Sequence, residues 1–363
     1  MDKCHFNGTC IFLNSFLMQL ENYTKPYITD ELPGIWGKIK VYPEDFIVDE
    51  IPAYEASGSG EHLFIHLTKT GITTKEVQKK KKKIFDTKRR DVEFAGIKDK
   101  HAIASQYFSV WLYNNQDPDL TYKLEEEMPV KINSFKFHQR KLKKGHLHGN
   151  QFSIKIREPN VDTEEALKRI KQIIEKTNQT GIPNFYGDQR FGIEGDNPQQ
   201  GLEILKGERK ISNKWLRQFL LASFQSHLFN YYLTKRIGEG LFHKIIPGDI
   251  AKKHETGGIF IVEDPETEQK RFDNKEICFT GPMFGKKMTQ AKGKAYDFEN
   301  SILEENEITP EELKKAKLTG TRRAGIILPS IEAMKEEDGI RVKFQLPKGS
   351  FATIVLREIM KND

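Results

Sequence analysis

The sequence predicts an α+β fold with antiparallel pairing, and three observations predict it. Short runs of alternating apolar residues recur up to residue 157. A capped amphipathic helix follows a pair of them. The same strand pattern returns at the end of the chain, after a helix-rich middle. Strand, strand, helix order with no regular βαβ alternation favours an antiparallel sheet.

The elements read in order as follows. Residues 38–50 form a strand broken by Pro43, with Ile39, Val41, Phe46 and Val48 apolar. Leu63, Ile65 and Leu67 alternate around His66, a strand signal. Thr73 or Thr74 caps a helix that carries a lysine run. Val92 to Ala95 is a strand ending at Gly96, residues 96–106 are a loop, and Tyr107 to Leu112 is a strand. Lys131 to Phe137 and Gln151 to Arg157 read as a hairpin with a long basic connection. Asp162, with Glu165 three residues on, is a capping box. Leu167, Ile170, Ile173 and Ile174 make the apolar face of its helix, which Gly181 stops.

Beyond residue 205 the pattern becomes helical. Ser212 is the expected cap of a long helix through Trp215, Phe219, Phe224, Leu228 and Leu233, ending near Gly238. Residues 239–300, with many Gly and Lys, read as irregular. Thr309-Pro310-Glu311-Glu312 starts a helix with Pro at its first position. Val342, Phe344 and Leu346, a turn at Lys348-Gly349, and Phe351 to Arg357 read as closing strands. Their likeness to the early strands places the tail with the first domain, so that 1–204 and 321–363 form one domain and 205–320 an insertion.

The 363 residues suffice for one large or two ordinary domains. Apolar residues make up 37% and charged residues 30%, a globular composition. Cys4, Cys10 and Cys278 have no metal-ligand spacing and build no disulfide framework, which suits a reducing cytoplasm. No apolar run approaches the roughly 18 residues of a membrane span. Met1 to Asn22 has too short an apolar stretch for a signal peptide and reads as a leader or the start of an element.

Net charge is +6, but it is concentrated. Residues 75–90 hold nine Lys and Arg against Glu76 and Asp86. A second basic stretch is Lys136, Arg140, Lys141, Lys143 and Lys144. Such a localised field suits a phosphate backbone, although a solvated helix face gives the same pattern.

Two segments carry chemistry. Asp99, between Lys98 and Lys100 after Gly96, is a carboxylate whose flanking cations favour its ionised form. That suits a nucleophile or base; a charged surface turn is the plainer alternative. Gly181 to Gly192 packs glycines, aromatics, Asn184, Gln189 and Arg190 into one loop. Glycines admit close backbone approach, aromatics stack on bases, and amides read base edges.

With these residues in place the chain resembles the TruD family of tRNA pseudouridine synthases. The resemblance runs in order through Lys40 to Glu50, Gly60-Glu61-His62, Phe94 to Ala102, Leu147 to Asn150, Asn184 to Gly192, Phe224 to Asn230, Gly281-Pro282, Thr321-Arg322-Arg323 and Leu346 to Glu358. It implies a pseudouridine-synthase domain with a curved, mostly antiparallel sheet, an inserted TRUD domain, and a cleft between them for RNA. It makes Asp99 the catalytic residue and assigns Lys40, Phe46, Glu50, Asn184 and Tyr186 to the same site. It also implies tRNA, at uridine 13, as the substrate. The activity needs no cofactor or metal and is expected from a cytoplasmic monomer without an obligate partner. Ala104 departs from a usual Thr, and Phe185-Tyr186 reverses the usual order.

Isomerisation breaks C1′–N1 and rejoins the uracil through C5, so a flipped base must reach Asp99. Phe46 and Tyr186 are candidates to sandwich that base. Arg190 and Lys40 are candidates to hold the Asp99 carboxylate or a phosphate. Lys79, Lys80, Lys81, Lys82, Lys83, Arg140, Lys141, Lys143 and Lys144 are candidates for the RNA backbone. The rivals are a non-catalytic RNA-binding protein and a metal-dependent nuclease with Asp99, Asp45 and Glu50 as ligands. His138, His146 and His148 lack acidic or Cys partners and read as RNA contacts or solvent-exposed side chains.

Overall fold

The structure is a computed structural model that describes residues 24–112 and 117–362. The leader read at Met1 to Asn22 lies outside the described residues. The chain divides into two compact units, one of residues 31–179 and 328–363, the other of residues 1–30 and 180–327. The expected division at 204/205 and 320/321 thus falls inside the second unit. Two local pairings account for this: Ile182–Pro183 pairs with Ile326–Ile327, and helix Asn197–Lys206 packs on the long helix that follows it. Gly201 permits that packing, because a Cβ there would lie 2.3 Å from the Leu220 carbonyl oxygen.

The first unit is built on eight strands: β1 (Phe46–Pro52), β2 (His62–Thr70), β3 (Val92–Phe94), β4 (Ile103–Trp111), β5 (Val130–His138), β6 (Leu147–Arg157), β7 (Ile331–Glu336) and β8 (Gly339–Pro347). They run in the order β7-β8-β6-β1-β4-β2-β5, with β3 on β4. Every pair is antiparallel except β1 and β4, where Ile47 lies opposite Ile103. The tail does return to this sheet, as β7 and β8.

Alternation holds where one face is packed. Leu63, Ile65 and Leu67 of β2 are buried with Phe108 and Val110 of β4 beneath helix α1 (Thr74–Ile84). Phe64 packs on the other face, with Ala95, Leu142 and Leu147. Thr73 caps α1 through a capping box with Glu76. Asp162 Oδ1 accepts from the N–H groups of Glu164 and Glu165, both at 3.0 Å, and caps α2 (Thr163–Thr180).

Several expectations are corrected. β5 and β6 are not a hairpin: β5 pairs with β2, β6 with β1 and β8, and three strands separate them. The connection between them is too long to set their pairing. Residues 38–45 are not strand; Pro43–Asp45 is a 3-10 turn, and Asp45 is buried against Arg157. Ala104 lies buried within β4, not in the preceding loop. Residues 352–357 belong to a helix, Ala352–Met360, with Phe351 at its N-cap; burial of Ile354, Val355, Leu356 and Ile359 outweighs the β-branching of the two isoleucines and the valine.

In the second unit, α3 (Lys214–Gly238) is capped by Asn213, not Ser212; Asn213 Oδ1 accepts from Trp215 and Leu216 N–H at 3.0 and 3.1 Å. The stretch 239–300 is ordered, not irregular. It supplies Ile250–Lys253, Ile259–Ile261 and Ile277–Met283, which with Thr321–Ala324 form a four-stranded antiparallel sheet, and the helices Pro265–Asp273 and Gly293–Glu305. Strand Ile277–Met283 is buried at every position and so shows no alternation. Arg236 and Asp249 are fully buried at 2.7 Å, with Arg236 also bonded to Tyr232 Oη and the Lys244 carbonyl. Among the described residues no helix is long and apolar enough to cross a membrane.

The lysine run is not uniform. On α1, Thr74, Val77 and Lys81 face inward. Lys81 is fully buried; its Nζ lies 4.3 Å from the Phe108 ring centroid and has no hydrogen-bond partner. Burial pushes its pKa well below the usual 10.5. Lys81→Met should therefore raise stability by about 1–2 kcal/mol at neutral pH. The stability of the wild type should gain on that of the variant as pH rises toward 10.5, since over that range the unfolded chain binds the extra proton. Urea titrations at pH 6 and 9 check both.

Candidate active site

Because β1 and β4 run parallel, their starts lie at the same end of the sheet. The residues that precede them, Lys40 to Asp45 and Gly96 to Ala102, are therefore neighbours. Strand β2, antiparallel to β4, ends there too, with Thr70 opposite Ile103. Three segments far apart in sequence meet on the Asp99 loop.

Lys40 Nζ forms an ion pair with Asp99 Oδ2. Lys40 has a backbone φ of 58°, in the left-handed region, a conformation that costs about 1–2 kcal/mol in a non-glycine residue. Its ammonium also lies 4.5 Å from the Phe46 ring centroid. Asp99 Oδ1 accepts from the His101 N–H at 3.1 Å. Burial alone would raise the Asp99 pKa; the Lys40 hydrogen bond and charge and the His101 N–H outweigh it, leaving it below the usual value. The Asp99 side chain keeps 35% of its surface exposed, so the ionised carboxylate remains reachable.

The expected source of that charge was the flanking lysines, and this is corrected. Lys98 turns into the core, donating to Glu50 Oε2 and Asn150 Oδ1, both at 2.7 Å. Its backbone N–H donates to Thr74 Oγ1 at 3.0 Å, and Thr74 donates to Gln106 Oε1 at 2.9 Å. Glu50 is buried and also accepts from the Tyr107 N–H at 3.3 Å. Glu50 thus fastens the loop from within the core. Phe46 is corrected likewise: it is 5% exposed, with its edge on Phe152 and Lys40 over its face, and supports Lys40 instead of offering an open ring. Ser105 bonds to Asp49, so the hydroxyl beside Ala104 braces β4 on β1.

Sequence reasoning missed Lys69. It is fully buried, and its ammonium donates to the carbonyl oxygens of Asp99 at 2.6 Å and Ile72 at 2.8 Å. The signal was present: Lys69 continues the inward alternation of Leu63, Ile65 and Leu67.

In the other unit, Asn184, Tyr186 and Arg190 sit against α3. Asn184 is buried; its Nδ2 donates to the Ala324 carbonyl at 2.9 Å and its Oδ1 accepts from Arg323 at 2.7 Å. Each end of the amide thus takes a bond within this unit, which fixes its orientation. The Tyr186 backbone is held by Asn230 through bonds of 2.8 and 3.0 Å. The Arg323 guanidinium lies 4.0 Å from the Tyr186 ring centroid, and Phe229 meets that ring edge-on. Arg190 donates to Ser226 Oγ at 3.1 Å.

Among the backbone candidates, Lys79, Lys82, Lys83, Arg140, Lys141, Lys143 and Lys144 are exposed. Lys80 pairs with Glu127, and Lys81 is buried beyond reach of a phosphate. His146 Nδ1 lies 2.7 Å from Tyr54 Oη, and His138 stacks on Tyr54. Asp45, Glu50 and Asp99 each hold their own cation, which disfavours a shared metal; no group of three or more candidate ligands occurs among the described residues.

This is an α+β chain with a reachable carboxylate, held ionised, on a loop at one end of the sheet. The profile of the family described as tRNA pseudouridine synthase D (TruD) matches residues 23–212 and 209–359. The tRNA pseudouridine synthase D of Thermus thermophilus is 42% identical over 338 residues, covering 93% of this chain and 92% of the relative. That of Anaeromyxobacter dehalogenans is 35% identical, covering 93% and 97%. A crystal structure of a tRNA pseudouridine synthase D from Methanosarcina mazei superposes with a TM-score of 0.75 at 24% identity, over 95% of this chain and 97% of that one. The chain belongs to the TruD family.

Burial and neighbouring Lys98 lower the Lys69 pKa, Asp99 raises it, and the balance is about 8. Charging this buried lysine destabilises the fold below about pH 8, and the penalty fades as pH rises from 8 toward 10.5. Over the same range the site loses a positive charge beside Asp99. The pH profile of kcat should fall above about pH 8 in the wild type and lack that limb in Lys69→Met; a fluorescence melt confirms that the variant is folded.

Proposed function

We propose that this chain converts uridine to pseudouridine in tRNA, at position 13, with Asp99 as the catalytic carboxylate. The observation that carries the reading is the exposed Asp99 carboxylate held ionised by Lys40 and the His101 N–H. Residues 31–179 and 328–363 are then the catalytic unit, and residues 180–327 supply the family-specific domain.

The reaction breaks C1′–N1 and forms C1′–C5; C5 loses its proton and N1 gains one. Atoms balance without redox change. An ionised carboxylate serves either as nucleophile, at C1′ or the base, or as base toward a sugar proton. Either route requires the unprotonated form that Lys40 favours. Flipping the uridine exposes its faces, and Tyr186 offers a ring already backed by Arg323. The exposed lysines of α1 and of residues 140–144 suit the phosphate backbone, with a monomeric, cytoplasmic enzyme as the simplest form.

Asp99→Asn should abolish pseudouridine formation while tRNA binding persists. The check is a tritium-release assay with filter binding in parallel; near-normal turnover would remove the assignment. Mapping the product in tRNA tests position 13. Replacing Lys79, Lys82 and Lys83 with Ala should weaken tRNA binding and lower its salt dependence without moving the modified site. Unchanged affinity at low salt would count against that role.

A further inference from the structure

The α3 stripe that seats the Gly-rich loop extends past it to the surface. Asn230 holds Tyr186, Ser226 accepts from Arg190, and Ser223 Oγ donates to the Arg190 carbonyl at 3.2 Å. Continuing at helical spacing, the next two residues are Phe219 and Trp215. Their rings are stacked, with centroids 5.4 Å apart and planes within 10°. Trp215 is 63% exposed. An exposed Trp on a partly buried Phe is a stacking platform in place before any ligand arrives.

Arg190 joins this platform to Tyr186. Its guanidinium carbon lies 5.5 Å from the Phe219 centroid and 5.8 Å from that of Tyr186. Among the described residues it has no carboxylate partner, and its side-chain hydrogen bond to Ser226 uses only Nε. The neighbouring acid, Asp188, is paired with Lys25 at 2.5 Å. Residues 210–220 carry Lys210, Lys214 and Arg217 and no acid, while Arg209 is paired with Glu203 at 2.6 Å. Aromatic rings, an uncommitted guanidinium and a positive surround match the two parts of a nucleotide, its base and its phosphate.

We propose that Trp215, Phe219 and Arg190 form a subsite that stacks one unpaired base of the RNA substrate and holds its phosphate. This rests on the reading of tRNA as the substrate. The subsite acts in binding: stacking is tolerant of base identity, so it anchors the strand and leaves the choice of uridine to other contacts.

The test is steady-state kinetics on an unmodified tRNA transcript with wild type, Trp215→Ala and Trp215→Phe. The subsite predicts that Trp215→Ala raises KM about tenfold with kcat within about twofold, and that Trp215→Phe restores most of the KM. In a protein whose Trp36 and Trp111 are replaced by Phe, tRNA should quench the remaining fluorescence. A Trp215→Ala enzyme with wild-type KM overturns the subsite while leaving the activity assignment intact. Wild-type protein that forms no pseudouridine in tRNA overturns the substrate reading, and the subsite with it.

Discussion

One parallel pairing in an otherwise antiparallel sheet makes the Asp99 site possible. If β1 and β4 ran antiparallel, Lys40 and Asp99 would stand at opposite ends of the sheet. Parallel neighbours need a long crossover, and here β2, α1 and β3 provide it. The same crossover brings the end of β2, and with it Lys69, to the loop. The register Ile47 to Ile103 therefore determines which side chains meet.

Four lysines show how burial sets the role of one residue type. Lys40 is partly exposed and holds the Asp99 carboxylate from a left-handed backbone. Lys98 is buried but fully answered by Glu50 and Asn150, a pairing that offsets the desolvation of both charges. Lys69 meets only carbonyl oxygens, which stabilise its charge less than a carboxylate would, so its pKa falls to about 8. Lys81 meets only an aromatic face, and its burial pushes its pKa well below the usual value. The loop is thus fixed from below by two buried ammonium groups and charged from the side by a third.

The order of the early elements and the caps at Thr73, Asp162 and Thr309 were legible because local rules govern them. The parallel pairing was not, because alternation is the same whichever way a strand runs. Strand Ile277–Met283 was hidden by burial on both faces, and the closing helix by its β-branched residues. Asp99 was singled out through its motif, but the partners that hold it lie 30 and 59 residues away. A run of five identical residues erased the periodicity that would have marked Lys81 as inward; Val77, four residues earlier, was the surviving clue.

The Gly-rich loop shows how burial divides the work among its polar and aromatic residues. Asn184 and Tyr186 both suggested contact with a base. An amide has two ends to satisfy, and a buried amide with one end unpaired is costly. Asn184 meets that demand with Ala324 and Arg323, and Asn230 does the same with the Tyr186 backbone. The amides are fasteners because they are buried. The rings of Tyr186 and Trp215 and the guanidinium of Arg190 need no such partner to remain stable at a half-exposed surface. In the proposed complex with RNA, stacking on a base falls to these groups, and the amides determine where they stand.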